Sequence, residues 1–216
     1  MKHGFVKVAA ATPKIKVADT VYNTEQIRLL MTESAAWGAR ITVFPELCIT
    51  GYTCQDLFLQ EKLIAGAKDA LMQLAEASAS IPGIYFVGLP YEINGKLYNV
   101  AAAISDGQVL GMVPKSWIPN YNEFYEMRHF ASGAELSTAV TLPDGSEVLV
   151  DREQLFVCEQ MNKLKIGVEL CEDLWTPNPP RIAHALAGAD VIVNLSASNE
   201  ITGKSAYRKE LVCGQS

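Results

Sequence analysis

The sequence predicts an α/β protein folded as a layered sandwich around a mixed β-sheet. Stretches with β-type apolar runs alternate with stretches of helical spacing along most of the chain. An Asp-Gly pair at positions 106–107 joins two of the runs, which is typical of an antiparallel hairpin. Hydrophobic residues make up 49% of the 216 residues, enough for a large buried core. A hairpin inside an otherwise alternating pattern therefore favours a mixed sheet over a purely parallel one.

Individual elements follow from local patterns. Seven apolar runs predict strands over residues 5–11, 41–44, 84–89, 98–104, 109–113, 163–170 and 191–195. Helical spacing predicts helices over residues 20–37, 57–79 and 180–187, the first ending near Gly38. Residues 117–137 have no clear period and are rich in aromatic and polar side chains, as in a pocket-lining loop. Residues 207–216 resemble a helix interior with no closing strand after it, so we expect a fragment of a longer polypeptide.

Composition narrows the possible partners. The formal net charge of −6 argues against binding to nucleic acid, because such proteins carry basic patches. No apolar run reaches about 18 residues, so no membrane span is expected. The first residues lack the apolar core and cleavage site of a secretory signal. We therefore expect a cytoplasmic protein that contacts neither nucleic acid nor a membrane.

The cysteines and histidines do not have the spacing of a metal site. Five cysteines in a chain without a signal peptide are typical of reduced cytosolic thiols. Cys48 and Cys54 lack the close pairing of zinc ligands, and the three histidines, at positions 3, 129 and 184, are scattered. We expect no structural metal. No glycine-rich phosphate loop is present either, so no ATP or NAD site is expected in this chain.

Cys171 is the first candidate for chemistry. It directly follows the predicted strand 163–170 and has Glu169 and Glu172 close by. A thiol at the carboxyl end of a strand is well placed as a nucleophile in an α/β enzyme. Nearby carboxylates raise the pKa of a thiol, so the site needs a cation from elsewhere in the chain. The alternative is a buried, inert thiol, the usual state of a free cysteine.

Two further residues stand just beyond predicted strands. Glu46 follows strand 41–44 and Pro45, where partial burial would raise its pKa towards that of a useful base. Lys115 follows strand 109–113 and Pro114, and it supplies the missing cation, able to lower the pKa of the thiol and to stabilise an oxyanion. Alternatively, Glu46 is a helix cap or a loop ion-pair partner, and Lys115 a solvated surface side chain.

The sequence around these residues is similar to that of a known family. The chain contains F-P-E-L-C-I-T-G-Y-T-C-Q-D-L-F, then P-K-S-W-I-P-N-Y-N-E-F-Y-E-M-R-H-F, then V-E-L-C-E-D-L-W, and then N-L-S-A-S-N. This order resembles the nitrilase, or carbon–nitrogen hydrolase, superfamily and, within it, the glutaminase domains of glutamine-dependent NAD(+) synthetases. The resemblance implies one carbon–nitrogen hydrolase domain over residues 1–216, with a four-layer α-β-β-α sandwich that is incomplete at its carboxyl end.

The resemblance also implies a chemistry. Glu46 is expected to be the general base, Lys115 the oxyanion-stabilising cation and Cys171 the nucleophile, with Glu126 as an accessory carboxylate beside the lysine. Glutamine would lose its side-chain amide nitrogen as ammonia through a thioester on the cysteine. An amide is a poor electrophile, so the reaction needs both a proton shuttle and a charge sink for its oxygen.

Four residues match the family's glutamine-binding positions, and two more are expected to line the pocket. Glu172 is expected to bind the α-ammonium group, and Lys204 the α-carboxylate. Many relatives carry Arg where this chain has Lys204, so a bidentate grip on the carboxylate is not expected. Tyr121 and Ser198 would give neutral hydrogen bonds, while Tyr52 and Phe124 would line the pocket. Without the resemblance, ordinary packing or surface contacts would explain all six: Tyr52, Tyr121, Phe124, Glu172, Ser198 and Lys204.

Partners and cofactors are implied in the same way. Full-length relatives continue into a separate ATP-dependent synthetase domain that converts deamido-NAD to NAD and is the expected user of the ammonia. ATP and Mg are expected only there, since the S-G-G-x-D-S phosphate loop is absent from this chain. The resemblance further implies a homo-oligomer.

Three other interpretations stay open at the level of sequence. The chain could be a free-standing amidase or nitrilase that acts on another small amide. It could be a non-catalytic binding module in which Cys171 is a core residue. A papain-like pair of Cys171 with His129 or His184 is also conceivable, although neither histidine lies in a suitable local context.

Overall fold

The chain folds into two β-sheets that face each other, with helices outside each sheet. This is a computed structural model that describes residues 4–161 and 163–216. The larger sheet has seven strands in the spatial order β1-β2-β3-β4-β5-β7-β6. Its strands are β1 (Val8–Ala10), β2 (Ile41–Val43), β3 (Ile84–Ile93), β4 (Lys96–Ser105), β5 (Gln108–Pro114), β6 (Ser137–Thr141) and β7 (Glu147–Asp151).

The smaller sheet has three described strands in the order β10-β9-β8. These are β8 (Phe156–Cys158), β9 (Leu164–Leu170) and β10 (Val191–Leu195). Strands β9 and β10 run parallel, as do β1, β2 and β3, whereas β3, β4 and β5 pair in antiparallel fashion. The larger sheet is therefore mixed, as the sequence predicts.

Four helices complete the described fold. They are α1 (Thr20–Ala36), α2 (Glu61–Ser78), α3 (Pro180–Leu186) and α4 (Lys204–Gln215). Short 3₁₀ segments span Tyr52–Leu59, Glu126–Arg128, Glu159–Met161 and Cys171–Trp175. Asp19 caps α1 by accepting a hydrogen bond from the Tyr22 N–H at 3.0 Å, which satisfies one of the free amides at the helix start.

Two apolar cores separate the layers. One lies between α1, α2 and the larger sheet and contains Leu74 and Val87, while the other lies between the two sheets and contains Phe86 and Val168. Phe86 and Val87 are neighbours on β3, and both are fully buried because adjacent side chains on a strand face opposite sides. With α3 packed against the outer face of β9, the layers follow the order α-β-β-α, which confirms the four-layer prediction.

Helix α4 lies on the surface, with no buried residue of its own. Its Tyr207 ring stacks on Trp175 with centroids 5.8 Å apart, and its Gln215 accepts a hydrogen bond from Arg181 at 3.3 Å. Trp175 closes the 3₁₀ segment that begins at Cys171. The start of α4 is thus attached to the turn that carries the candidate nucleophile.

Several local predictions need correction. The predicted helix 57–79 begins at Glu61, because residues 57–59 belong to the preceding 3₁₀ segment. Strands β6, β7 and β8 were not predicted: β8 has three residues, and β6 alternates between exposed and half-buried positions, so neither gives a long apolar run. The single predicted hairpin, β4 with β5, is one of four antiparallel pairs of consecutive strands among the described residues. The others are β3 with β4, joined through Asn94-Gly95, β6 with β7, and β8 with β9. The remaining predicted strands and helices are present with ends shifted by a few residues.

Candidate active site

The three residues singled out from the sequence lie at neighbouring strand ends. Glu46 follows β2, Lys115 follows β5, and Cys171 follows β9 in the facing sheet. The Lys115 Nζ atom donates to Glu46 Oε1 at 2.7 Å, and both residues are only 1% exposed. Moving a lysine and a glutamate out of water costs several kcal/mol per ion. Removing either partner of such a buried pair destabilises a protein by about 3–5 kcal/mol, because the other charge stays buried without a partner. A solvated surface lysine is therefore excluded as an interpretation of Lys115.

A second carboxylate completes the surroundings of the lysine. Lys115 Nζ also donates to both oxygens of Glu126 at 2.8 Å, and the Tyr52 hydroxyl donates to Glu126 Oε1 at 2.6 Å. Burial alone would lower the pKa of Lys115, but the charges of the surrounding acidic groups, Glu46 above all, outweigh it and raise that pKa. Burial and the neighbouring Glu46 raise the pKa of Glu126. The lysine is therefore a permanent ammonium held between two carboxyl groups.

Cys171 occupies a strained turn at the end of β9. Its φ angle is +40°, a conformation that side chains other than glycine rarely adopt, and its side chain is 5% exposed. The thiol lies close enough to the Glu46 carboxylate, the Lys115 ammonium and the Ala197 N–H for each of them to shift its pKa. The strain at this residue fits a strand end that presents its side chain to the site.

The thiol pKa differs from the sequence-based expectation. Burial, followed by the charge of Glu46, raises the pKa of Cys171, and the opposing effects of Lys115 and the Ala197 N–H do not cancel this increase. We expected the ammonium to lower the pKa of the thiol, and it does act in that direction, but it is outweighed. The resting sulfur is therefore a thiol, and its attack on a substrate requires a base that accepts the proton.

Two groups that hold Glu46 were not found from the sequence. Asn99 Nδ2 donates to Glu46 Oε1 at 2.7 Å, and the Ala197 N–H donates to Glu46 Oε2 at 3.1 Å. Asn99 is fully buried in the middle of β4, within an otherwise apolar run. A polar residue inside such a run is the sequence feature that could have indicated a functional role for Asn99. These donors fix the direction of both oxygens of Glu46.

Asp173 is the other residue that the sequence reasoning left without a role. It is 1% exposed and lies two residues after Cys171. Its Oδ1 accepts from the N–H of Trp117 at 2.8 Å and of Ser116 at 3.2 Å, and its Oδ2 accepts from the N–H of Leu170 at 3.1 Å. Burial raises the pKa of Asp173 to about 7, although the backbone donors act against this. The side chain thereby joins the turn Cys171–Trp175 to the segment that follows Lys115. We call Cys171–Trp175 the nucleophile turn, after its candidate nucleophile.

Three predicted substrate-binding residues gather beside the nucleophile turn. The Tyr121 hydroxyl donates to both carboxylate oxygens of Glu172 at 2.9 Å. The rings of Tyr121 and Phe124 meet edge to face with centroids 5.8 Å apart. Tyr121 is 49% exposed, so this group faces the solvent side of the buried cluster. Its position offers one carboxylate and two aromatic surfaces to a small molecule that approaches Cys171.

Two more, Ser198 and Lys204, lie in the segment after β10 and at the start of α4, whereas Tyr52 contacts Glu126. Ser198 is half-buried and adjoins Ala197, whose amide contacts Glu46. Lys204 donates to Asn199, which in turn donates to Glu123, and its ammonium lies 5.0 Å from the centre of the Trp175 ring. The structure therefore places Ser198 one residue beyond the amide that contacts Glu46, and Lys204 beside Trp175, the last residue of the turn that begins at Cys171.

A cavity of about 100 Å³ opens on the other side of Tyr52 and Glu126. His129 lines it and contacts Asp56 at 3.1 Å, and Asp56 also accepts two hydrogen bonds from Arg128. The Asp56 and Arg128 side chains are about 60% exposed, so solvent screens this ion pair. His184 instead contacts the Arg152 carbonyl at 2.8 Å. Within the described part of the chain, neither histidine acts on Cys171, which disfavours a papain-like pair.

The part of the chain that the structure describes lacks two other kinds of site. Over residues 4–161 and 163–216, no three side chains of the His, Cys, Asp and Glu types are grouped as a metal ion requires. In the same residues, none of the helices has the length and apolar character needed to cross a lipid bilayer.

Comparison with known proteins identifies the family. The carbon-nitrogen hydrolase family profile matches residues 7–211, which is nearly the whole chain. The chain belongs to the carbon–nitrogen hydrolase family. The resemblance read from the Glu46, Lys115 and Cys171 segments is therefore confirmed at the level of the family.

Relatives with higher similarity carry a more specific name. The glutamine-dependent NAD(+) synthetase of Mycobacterium tuberculosis is 37% identical over 210 residues, which cover 97% of this chain and 31% of the relative. The protein of the same name from Aquifex aeolicus is 32% identical over 196 residues, which cover 91% of this chain and 31% of the relative. The chain thus spans about a third of the length of these curated relatives.

Solved structures agree with this result. A glutamine-dependent NAD(+) synthetase from Cytophaga hutchinsonii superimposes with a TM-score of 0.84 and 29% identity, covering 97% of this chain and 33% of that chain. An amidase of the nitrilase superfamily from Nesterenkonia superimposes with a TM-score of 0.73 and 16% identity, covering 97% and 71%. The second similarity concerns the fold alone, and it confirms the nitrilase-like sandwich.

Proposed function

We propose that this domain hydrolyses the side-chain amide of glutamine and releases ammonia, with Glu46, Lys115 and Cys171 as its catalytic residues. The observation that carries the proposal is the buried cluster itself. The Lys115 ammonium and the Glu46 carboxylate pair at 2.7 Å, and the Cys171 thiol, also buried, lies close enough for both charges to shift its pKa. The names of the similar full-length proteins support glutamine as the amide donor.

The first half of the reaction needs a proton acceptor, because burial keeps Cys171 protonated. As Sγ attacks the amide carbon, Glu46 accepts the thiol proton, and the electrons of the C=O double bond move to the oxygen. Lys115 stabilises the resulting oxyanion with a charge that is already in place. Glu46 then returns the proton to the amide nitrogen, the C–N bond breaks, and ammonia leaves a γ-glutamyl thioester on Cys171.

The second half reuses the same groups. Glu46 removes a proton from water as its oxygen attacks the thioester carbon, and Lys115 again faces the oxyanion. When the C–S bond breaks, the sulfur regains the proton from Glu46 and glutamate is released. Glu126 supports this cycle as an accessory group, because its contact with Lys115 at 2.8 Å holds the ammonium in place.

Substrate recognition is assigned to residues around the nucleophile turn. Glu172 meets the α-ammonium of glutamine and Lys204 its α-carboxylate, so that both charges of the amino acid are matched. Tyr121 and Ser198 add neutral hydrogen bonds, and Phe124 and Tyr52 line the pocket. The contact of Tyr121 with Glu172 at 2.9 Å supports this assignment, since it orients the carboxylate towards the open side.

The ammonia is proposed to serve a synthetase domain of the same polypeptide. The names of the relatives, which are about three times as long as this chain, support NAD synthesis as the use of the ammonia. That the synthetase domain would use ATP and Mg to convert deamido-NAD to NAD is implied by the family resemblance alone. We place the reaction in the cytoplasm, which the unpaired cysteines support. We also propose that the full-length protein is a homo-oligomer.

The test removes the thiol. Cys171→Ala is expected to lower glutamate release from glutamine at least about 10³-fold, whereas the matched change Cys213→Ala, at an exposed position on α4, should leave it unchanged. In the full-length protein, Cys171→Ala should retain NAD formation from ammonia. Glutamine hydrolysis that survives Cys171→Ala would overturn the proposed nucleophile. Activity on simple aliphatic amides with none on glutamine would overturn the proposed substrate.

A further inference from the structure

Asp173 is a buried acidic residue that the proposed reaction does not use. It is 1% exposed, and the proton transfers assigned to Glu46, Lys115 and Cys171 do not require it. Moving a carboxylate out of water is unfavourable unless hydrogen bonds replace its hydration. A residue with this cost needs a physical explanation.

The hydrogen bonds of Asp173 connect two segments of the site. Oδ2 accepts from the N–H of Leu170 at 3.1 Å, the residue directly before the nucleophile. Oδ1 accepts from the N–H of Ser116 at 3.2 Å and of Trp117 at 2.8 Å, the two residues directly after Lys115. The lysine follows β5 of the larger sheet, and the cysteine follows β9 of the smaller one. A single carboxylate therefore links the ends of two strands from facing sheets.

The backbone between these contacts is not free to find its own position. Cys171 has a φ angle of +40°, and this strained conformation persists only where surrounding contacts hold it. The contact of Asp173 with Leu170 closes the turn over Cys171 from one side. The contacts with Ser116 and Trp117 fix the position of the backbone that follows Lys115 relative to that turn.

We infer that Asp173 is a positioning residue that sets the distance between the Lys115 ammonium and the Cys171 sulfur by binding the backbone on both sides of the site. This inference rests on the proposed function and extends it to a residue that does not touch the substrate. In its ionised form the Asp173 side chain is suited to this task because it offers acceptors only, and all of its contacts are backbone donors.

The test is Asp173→Asn in the full-length protein. The amide has the same shape but one acceptor oxygen, so at least one of the two strand ends loses its bond and meets an N–H group instead. We expect kcat for glutamine hydrolysis to fall at least about 10-fold while KM changes less than about 3-fold, because the substrate-binding residues are untouched. A crystal structure of the variant should show a larger separation of Lys115 Nζ and Cys171 Sγ.

An aspartate that binds the other end of β9 provides a matched control. Asp190 accepts a hydrogen bond from the Lys165 N–H at 2.9 Å, at the opposite end of β9 from Cys171. Asp190→Asn removes a carboxylate from a backbone amide in the same way, and it should leave kcat unchanged. An equal fall in kcat in both variants, or a fall confined to KM, would contradict a positioning role for Asp173.

The outcomes separate this inference from the proposed substrate. If the wild type leaves glutamine intact but hydrolyses an aliphatic amide, the proposed substrate fails, and the same comparison of kcat is made with that amide. If the wild type hydrolyses neither, the crystal structures decide. An unchanged distance between Lys115 and Cys171 in Asp173→Asn would overturn the inference whatever the substrate is.

Discussion

At the scale of single residues, the site depends on a balance of charge in a buried space. Glu46 and Glu126 are two carboxyl groups around one ammonium, and the thiol of Cys171 lies within their field. The sequence identified these four residues because each belongs to a recognisable motif. It did not identify Asn99 or the Ala197 amide, since their roles arise only when β4 and the segment after β10 meet Glu46 in space.

Asn99 provides a test of how the base is tuned. In Asn99→Asp, a second carboxylate replaces the amide whose nitrogen lies 2.7 Å from Glu46 Oε1. Like charges at this distance raise the pKa of a carboxyl group, so the acid limb of the pH profile of kcat/KM should move to higher pH by about one unit or more. The measurement is glutamine hydrolysis between pH 5 and 9. An acid limb that stays in place in a folded variant would mean that Glu46 is not the base.

At the scale of elements, the sequence predicted the strands that carry the site better than it predicted the edges of the sheet. Strands β2, β5, β9 and β10 are buried apolar runs, and each was predicted within about two residues. Strands β6 and β7 have an exposed face and are stabilised by pairing with each other, a long-range effect that a local pattern does not contain. The dipeptide Asn94-Gly95 is typical of a hairpin turn and indicates the antiparallel pairing of β3 with β4, although no hairpin was predicted there.

The packing of β3 against the Glu46 turn gives an element-scale prediction. A methyl group at Gly88 would lie 2.4 Å from the Leu47 nitrogen and 2.8 Å from the Pro45 carbonyl oxygen, and neither backbone atom can move independently of the Glu46 turn. Gly88→Ala should lower the free energy of unfolding by more than about 2 kcal/mol and reduce kcat.

The control is Gly214→Ala on α4, where no atom lies within 4 Å of the added methyl group. This helix position should tolerate alanine, with stability unchanged or raised by up to about 1 kcal/mol. Chemical denaturation of the two variants provides the comparison. Equal stability of Gly88→Ala and the wild type would contradict the close contact between β3 and the Glu46 turn.

At the scale of the whole molecule, buried ionisable groups make stability depend on pH. The pKa of Asp173 rises from 3.8 to about 7 on folding, so the folded state binds its proton more tightly than the unfolded state. The resulting destabilisation is absent below about pH 4, grows as the pH rises, and is fully present above about pH 7. Burial dominates here because the backbone hydrogen bonds replace only part of the lost hydration.

This dependence can be isolated by subtraction. The stability of the wild type minus that of Asp173→Asn should fall as the pH rises from 4.5 to 8, with a slope of at most about 1.4 kcal/mol per pH unit. Lys115 and Cys171, whose pKa values are raised above their ordinary values, keep their protons in this range and do not contribute to the slope. Urea denaturation at several pH values is the measurement. A difference that rises with pH would reverse the assigned sign.

Three strand ends are proposed to converge on one amide carbon. Trapping the acyl-enzyme shows whether they do. The full-length protein is mixed with glutamine, quenched in acid within milliseconds, and digested for mass spectrometry. The account predicts one γ-glutamyl group per chain, located on Cys171, and none in Glu46→Gln, because the protonated thiol then has no base. Steady hydrolysis of glutamine with the acyl group on another residue, or with no acyl group at any time, would contradict it.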